Sequence, residues 1–205
     1  MLRSLCAGAI AGLLLAAPLE AQSARPGSFG ITPYAGYMKF GNLVNGPLGT
    51  SVRGAAGPVY GAEATVGLVR GLALVGNVAY ASSDLEVGLP VVGGLSVGKS
   101  SALLYDAALR LSFPLGGAGG ISPFVQAGAG AMRQEIEVAP VATRSTNFAY
   151  NVGAGVDVPL GPRLGLQLMG KDYIGKFDAS EATAVNANTK TTHNWTLSAG
   201  VRLGL

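Results

Sequence analysis

Apolar residues alternate with small or polar ones at a period of two through most of the chain. The clearest run is Leu103, Tyr105, Ala107, Leu109, Leu111 and Phe113, interleaved with Leu104, Asp106, Ala108, Arg110 and Ser112. A strand sends successive side chains to opposite faces, so this run predicts a strand with one apolar face and one small or polar face. Tyr60–Leu68, Leu72–Tyr80, Phe148–Val158 and Trp195–Leu205 repeat the pattern. Phe29–Phe40, Ile121–Gln134 and Leu164 to about Tyr173 are less regular but strand-like, which brings the expected count to eight. The pattern does not assign the faces of the first and fifth strands, nor that of the seventh beyond Gly170.

The connections alternate in length. Arg70-Gly71, Pro114–Gly120 and Leu160–Arg163 are short, whereas 41–57, 82–100, 135–146 and 174–192 are long and more polar. Short turns at one end and long loops at the other are the pattern of a transmembrane β-barrel. Composition points the same way. Charged residues make up 12% of the chain, glycine is abundant at 32 residues, and mean hydropathy is positive. Soluble domains carry about 25% charged residues. Past residue 21, however, no apolar run approaches the ~20 residues of a spanning helix. Strands that cross lipid must have every backbone group paired, so the sheet has to close. The expected fold is therefore all-β, an eight-stranded antiparallel transmembrane β-barrel with short periplasmic turns and long extracellular loops. A soluble barrel with its apolar face around a ligand is the alternative, and fractionation distinguishes the two.

The first residues set the compartment. Met1-Leu2-Arg3 is a short positive start, Leu5–Pro18 is apolar, and Leu19-Glu20-Ala21 places a small residue before Gln22. This predicts a cleaved signal peptide over residues 1–21 and a barrel over 22–205. Cleavage removes Cys6, the only cysteine, so no internal disulfide is expected.

In a bilayer the apolar faces turn outward. Glu63, Asn77, Asp106, Arg110, Gln126, Asn151, Asp157, Gln167 and Arg202 then point into the lumen, which in an eight-stranded barrel holds little more than side chains. Buried charges need partners. Arg110 and Arg202 are expected to pair with Glu63, Asp106 or Asp157 and so to plug the lumen, hydration near the rims being the competing reading. Tyr60, Tyr80, Tyr105, Phe148, Tyr150 and Trp195 all fall toward the long-loop ends, where an interfacial aromatic girdle belongs.

Catalytic chemistry finds little support. The single histidine, His193, has Trp195 two residues on and Thr191 two residues before, with Asp172 able to approach from the neighbouring strand. No nucleophile–base spacing marks it out, and a hydrated rim residue is expected. Asp84-x-Glu86, Glu135-x-Glu137 and Asp178 to Glu181 are loop pairs that suit loose calcium at most. No cofactor, metal or catalytic residue is assigned. A net charge of +3 without a basic cluster argues against nucleic acid.

Residues about 28 to 205 resemble, in pattern and architecture, the small outer-membrane barrel superfamily of OmpA, OmpX and OmpW. The last strand, Trp195–Leu205, is similar to the terminal strand that the barrel-assembly machinery recognises, with Leu205 where Phe is usual. The resemblance implies the outer membrane as location, with membrane lipid, lipopolysaccharide and the assembly machinery as partners. It carries no functional motif, and the peptidoglycan anchoring of longer OmpA proteins is not expected. The favoured function is structural or surface-interacting, through loops that hold Lys99, Arg144, Lys176 and Lys190. The alternative is a narrow conduit for ions or small apolar molecules, suggested by Ala73, Val75 and Leu104 on the lumen faces.

Overall fold

The structure, a computed structural model, describes residues 26–45, 51–54, 56–89, 93–115, 120–138, 141–177 and 190–205. The expected signal peptide, 1–21, lies outside these residues, as does Asp178 to Glu181. Among the described residues ten strands form: β1 (Phe29–Lys39), β2 (Asn42–Asn45), β3 (Ser51–Gly54), β4 (Gly57–Val69), β5 (Leu72–Leu89), β6 (Gly93–Ser112), β7 (Ser122–Val138), β8 (Val141–Pro159), β9 (Leu164–Phe177) and β10 (Lys190–Gly204).

Eight of them close a ring, in the order β5-β4-β1-β10-β9-β8-β7-β6, with β6 pairing back onto β5. Every pairing is antiparallel. The two short strands pair with each other, and β3 continues onto β5 from Ser51↔Gly88 to Gly54↔Leu85. They thus extend the wall at one end of the barrel. At the other end β4 and β5 are joined by Arg70-Gly71, and Gly71 takes the left-handed φ of 81° that favours glycine. The chain closes at that same end, where the Leu205 N–H donates to the Phe29 carbonyl at 2.9 Å.

The long connections are shorter than the sequence suggested. Most of 82–100 is strand, in β5 to Leu89 and β6 from Gly93, and most of 135–146 is strand in β7 and β8. Segment 41–57 contains β2 and β3, and 174–192 begins and ends in β9 and β10. Lys99, Arg144, Lys176 and Lys190 therefore sit on paired strands and not in loops, as do Asp84, Glu86, Glu135 and Glu137. The physical reason is that alternation marks a strand with unlike faces. Stretches such as Ser82-Ser83-Asp84 and Lys99-Ser100-Ser101 are polar at every position, yet their backbones go on pairing.

The outer wall is apolar. Leu197, Val78, Leu109, Leu168 and Val125 are among the large side chains it exposes. A soluble monomer rarely shows so wide an apolar surface, and in lipid it is the solvated face. No described helix is long and apolar enough to cross a membrane, and the crossing is made by strands.

The lumen as candidate functional site

Strand parity delivers the lumen residues. Along β6 the inward positions are Ala102, Leu104, Asp106, Ala108 and Arg110, running from the extended end toward the short turns. β9 contributes Gln167, Met169, Lys171 and Tyr173. β1 contributes Thr32, Tyr34, Met38 and Phe40, the last just past its end. On β7 the buried positions are Phe124, Gln126, Met132 and Gln134, with Val125 outward, so the three faces that the sequence pattern left open are assigned.

Three polar clusters follow one another along the axis. Nearest the short turns, Arg202 Nη1 donates to Asp157 Oδ2 at 2.6 Å and Gln167 Nε2 donates to Asp157 Oδ1 at 3.1 Å. Next, Arg110 Nη2 donates to Glu63 Oε2 at 2.5 Å and to Gln126 Oε1 at 2.6 Å, and its Nε reaches the same Gln126 oxygen at 2.9 Å. The Arg110 guanidinium also lies 4.1 Å from the centre of the Phe124 ring, a cation–π contact. Arg110 is 1% exposed and Glu63 0%, so the pair is buried from bulk solvent.

The third cluster centres on Asp106. Its carboxylate accepts from Lys171 Nζ (2.7 Å), Asn77 Nδ2 (2.7 Å), Asn151 Nδ2 (3.2 Å) and the Tyr173 hydroxyl (3.2 Å). Tyr34 donates to Asn77 Oδ1 at 2.7 Å and completes the network. Gly130 makes room for it, because a Cβ there would come within 2.6 Å of the Asp106 Cβ. Beyond this cluster the lumen turns apolar, with Met38, Phe40, Val59, Ala79, Ala81, Ala102, Leu104 and Met132 packed around Tyr173.

Of the five charges singled out from sequence, Arg110 meets Glu63 and Arg202 meets Asp157. Asp106 meets neither arginine. Its cation is Lys171, which the sequence reading omitted together with Tyr34, Phe124 and Tyr173. All four lie on strands whose faces were left open, and carrying the period of two past Gly170 is the signal that finds Lys171. The six aromatics stand on the outer wall, Tyr60, Tyr80, Tyr105, Phe148, Tyr150 and Trp195 being 44–62% exposed. Tyr37, 68% exposed, joins them from β1. Phe148 and Tyr150 meet edge to face, their centroids 5.0 Å apart.

His193 does meet Asp172. Its Nδ1 is 2.7 Å from Asp172 Oδ2, with the ring 53% exposed and the carboxylate 4%. Among the described residues no group of three or more His, Cys, Asp or Glu side chains comes together to hold a metal.

The profile of the outer membrane protein beta-barrel domain family matches residues 7–202. No curated protein matches the chain in sequence. Among solved structures, Neisserial surface protein A superimposes with a TM-score of 0.59 at 18% identity, covering 85% of this chain and 96% of its own. The outer membrane protein OprG from Pseudomonas aeruginosa gives 0.66 at 11% identity, covering 91% and 99%. Ail, the attachment invasion locus protein of Yersinia pestis, gives 0.51 at 12% identity, covering 87% and 99%. At these identities the structures speak for the fold alone, an eight-stranded barrel of the outer membrane. With the profile match running over nearly the whole length, the chain belongs to the outer membrane protein beta-barrel domain family.

Proposed function

We propose that this chain is a non-enzymatic outer-membrane barrel, closed to ions by its own side chains, that acts at its extracellular end as a structural or surface-interaction protein. The observation that carries the reading is the burial of Arg110, Glu63 and Lys171, each 1% exposed or less, in the middle of the lumen. A water-filled pore would wet such charges. The three acids, Glu63, Asp106 and Asp157, are each matched by one cation, Arg110, Lys171 and Arg202. A lumen paired in this way offers a passing ion neither space nor net charge.

In this reading residues 1–21 are a cleaved export signal and Trp195–Leu205 is the strand engaged by the assembly machinery. The outward aromatics lie at the lipid headgroups. The extracellular face is built by the paired ends of β5–β6 and β7–β8. β5 runs nine residues past Tyr80, on the order of 30 Å of strand. Those ends are the surface offered to lipopolysaccharide or a partner. The test is single-channel conductance of the refolded mature chain in a planar bilayer, using only samples with the heat-dependent gel shift of a folded barrel. Silence is the expected result, and steady conductance would sink the proposal.

A second reading, a conduit for small apolar molecules, draws on the apolar cup formed by Met38, Phe40, Val59, Leu104 and Met132 above the polar floor. Uptake of an apolar dye by vesicles holding the barrel, lost on Leu104→Asp, would favour it.

A further inference from the structure

Asp172 is out of place. It stands on the outward parity of β9, in line with Leu166 and Leu168, yet its side chain is 4% exposed and its Oδ1 is buried without a hydrogen-bond partner. A carboxylate on a wall that meets lipid carries a desolvation cost, and it is set against the only histidine of the chain. Asp172 takes the Nδ1 of His193, which leaves Nε2 as the ring nitrogen for the exposed side.

The register supplies the rest. Lys39, Trp195 and Asp172 form one row across β1, β10 and β9, and His193 lies two residues from Trp195 on the same face. Lys39 is exposed and has no ionic partner among the described residues. Diagonal neighbours of this kind lie about 7–8 Å apart at Cα, so the lysine arm and the imidazole can meet on one phosphate. Trp195, 57% exposed, belongs to the residue type that marks the headgroup level. We propose that Lys39 and His193, flanking Trp195 and with Asp172 positioning the imidazole, form a site on the outer wall for the phosphate of an anionic lipid headgroup. The site depends on the barrel being in a membrane and not on the surface-interaction reading, which conductance tests separately.

Trp195 is the only tryptophan and reports directly on the site. The mature chain is refolded into phosphatidylcholine bilayers. Quenching by brominated phosphatidylglycerol is then compared with quenching by brominated phosphatidylcholine. A cation near an anionic surface contributes about fivefold in affinity, so the wild type is expected to prefer phosphatidylglycerol by at least about fivefold. Lys39→Gln and His193→Gln each reduce the preference, and the double variant removes it. Equal quenching of the wild type by the two lipids overturns the site without recourse to any variant, as does an undiminished preference in the folded double variant. A preference erased by inorganic phosphate at the lipid's own concentration would assign the site to free phosphate and overturn the lipid assignment.

Discussion

Replacing Arg110 with Met tests whether the lumen is held by its ion pairs. The guanidinium makes three hydrogen bonds, one to Glu63 and two to Gln126, and methionine makes none of them. Glu63, 0% exposed, then keeps only the long 3.5 Å contact from Gln126 Nε2. Breaking a buried pair by removing one partner costs about 3–5 kcal/mol, because the other charge is left uncompensated. Because Gln126 Nε2 keeps its contact with Glu63, the expected loss lies at the lower end of that range, about 3–4 kcal/mol, a few hundred-fold in the folding equilibrium. Adding Glu63→Gln removes the orphaned charge and recovers at least half of the loss. The assay is reversible denaturant unfolding in lipid vesicles at pH 7, followed by the fluorescence of Trp195 and the gel shift. A loss below about 1 kcal/mol at pH 7, or no recovery in the double variant, would refute the idea that the pair is buried and mutually compensating.

Lys171→Met costs less than Arg110→Met in the same assay, about 1–2 kcal/mol. The reason is that Asp106 keeps its donors Asn77, Asn151 and Tyr173. Arg202→Gln is milder still, about 1 kcal/mol, since that pair is 11% and 6% exposed and water replaces part of what is lost. Gly155→Val destabilises the fold, measured as a lowered denaturant midpoint. Even its Cβ would stand 2.5 Å from the Phe124 ring, which the Arg110 cluster needs in place. Leu109→Arg, an outward position midway between Tyr105 and Phe113, costs about 2–4 kcal/mol in vesicles, as a cation facing the hydrocarbon midplane does. An unchanged midpoint there would contradict the orientation of the wall.

The parts of the barrel that were legible in the sequence are those where the two faces of a strand differ in kind. β6 from Tyr105 onward and the lower half of β10 alternate without a break, and their lumen residues follow from parity alone. Legibility fails in two places. Where both faces are polar, as at Ser82-Ser83-Asp84, pairing continues without a periodic signal, and strand reads as loop. Where a face changes character, the period is present but its sense reverses. In β1 the inward Met38 and Phe40 are apolar while the outward Lys39 is charged, so hydropathy argues for the wrong face. In β9 the adjacent Lys171 and Asp172 point to opposite sides. Lys171 goes inward to Asp106 and Asp172 outward to His193, which no window average can separate.

Partner choice inside the lumen was beyond parity for a different reason. Glu63 and Arg110 sit on β4 and β6, with β5 between them, and Asp157 and Arg202 sit on β8 and β10, with β9 between them. Asp106 and Lys171, on β6 and β9, are three strands apart around the ring. None of these pairs joins strands that share backbone hydrogen bonds, so each is a brace across the lumen added to the ladder around it. Ladder register alone ranks the neighbours of a residue, and it would have set Asp106 opposite Asn77 and Gly130. The brace to Lys171 has its space beside the inward Gly153 of β8, where a Cβ would stand 3.4 Å from Lys171 Cγ and 3.3 Å from Gln126 Cγ. In so narrow a barrel a small inward residue at such a position leaves space for a side chain that crosses from another strand.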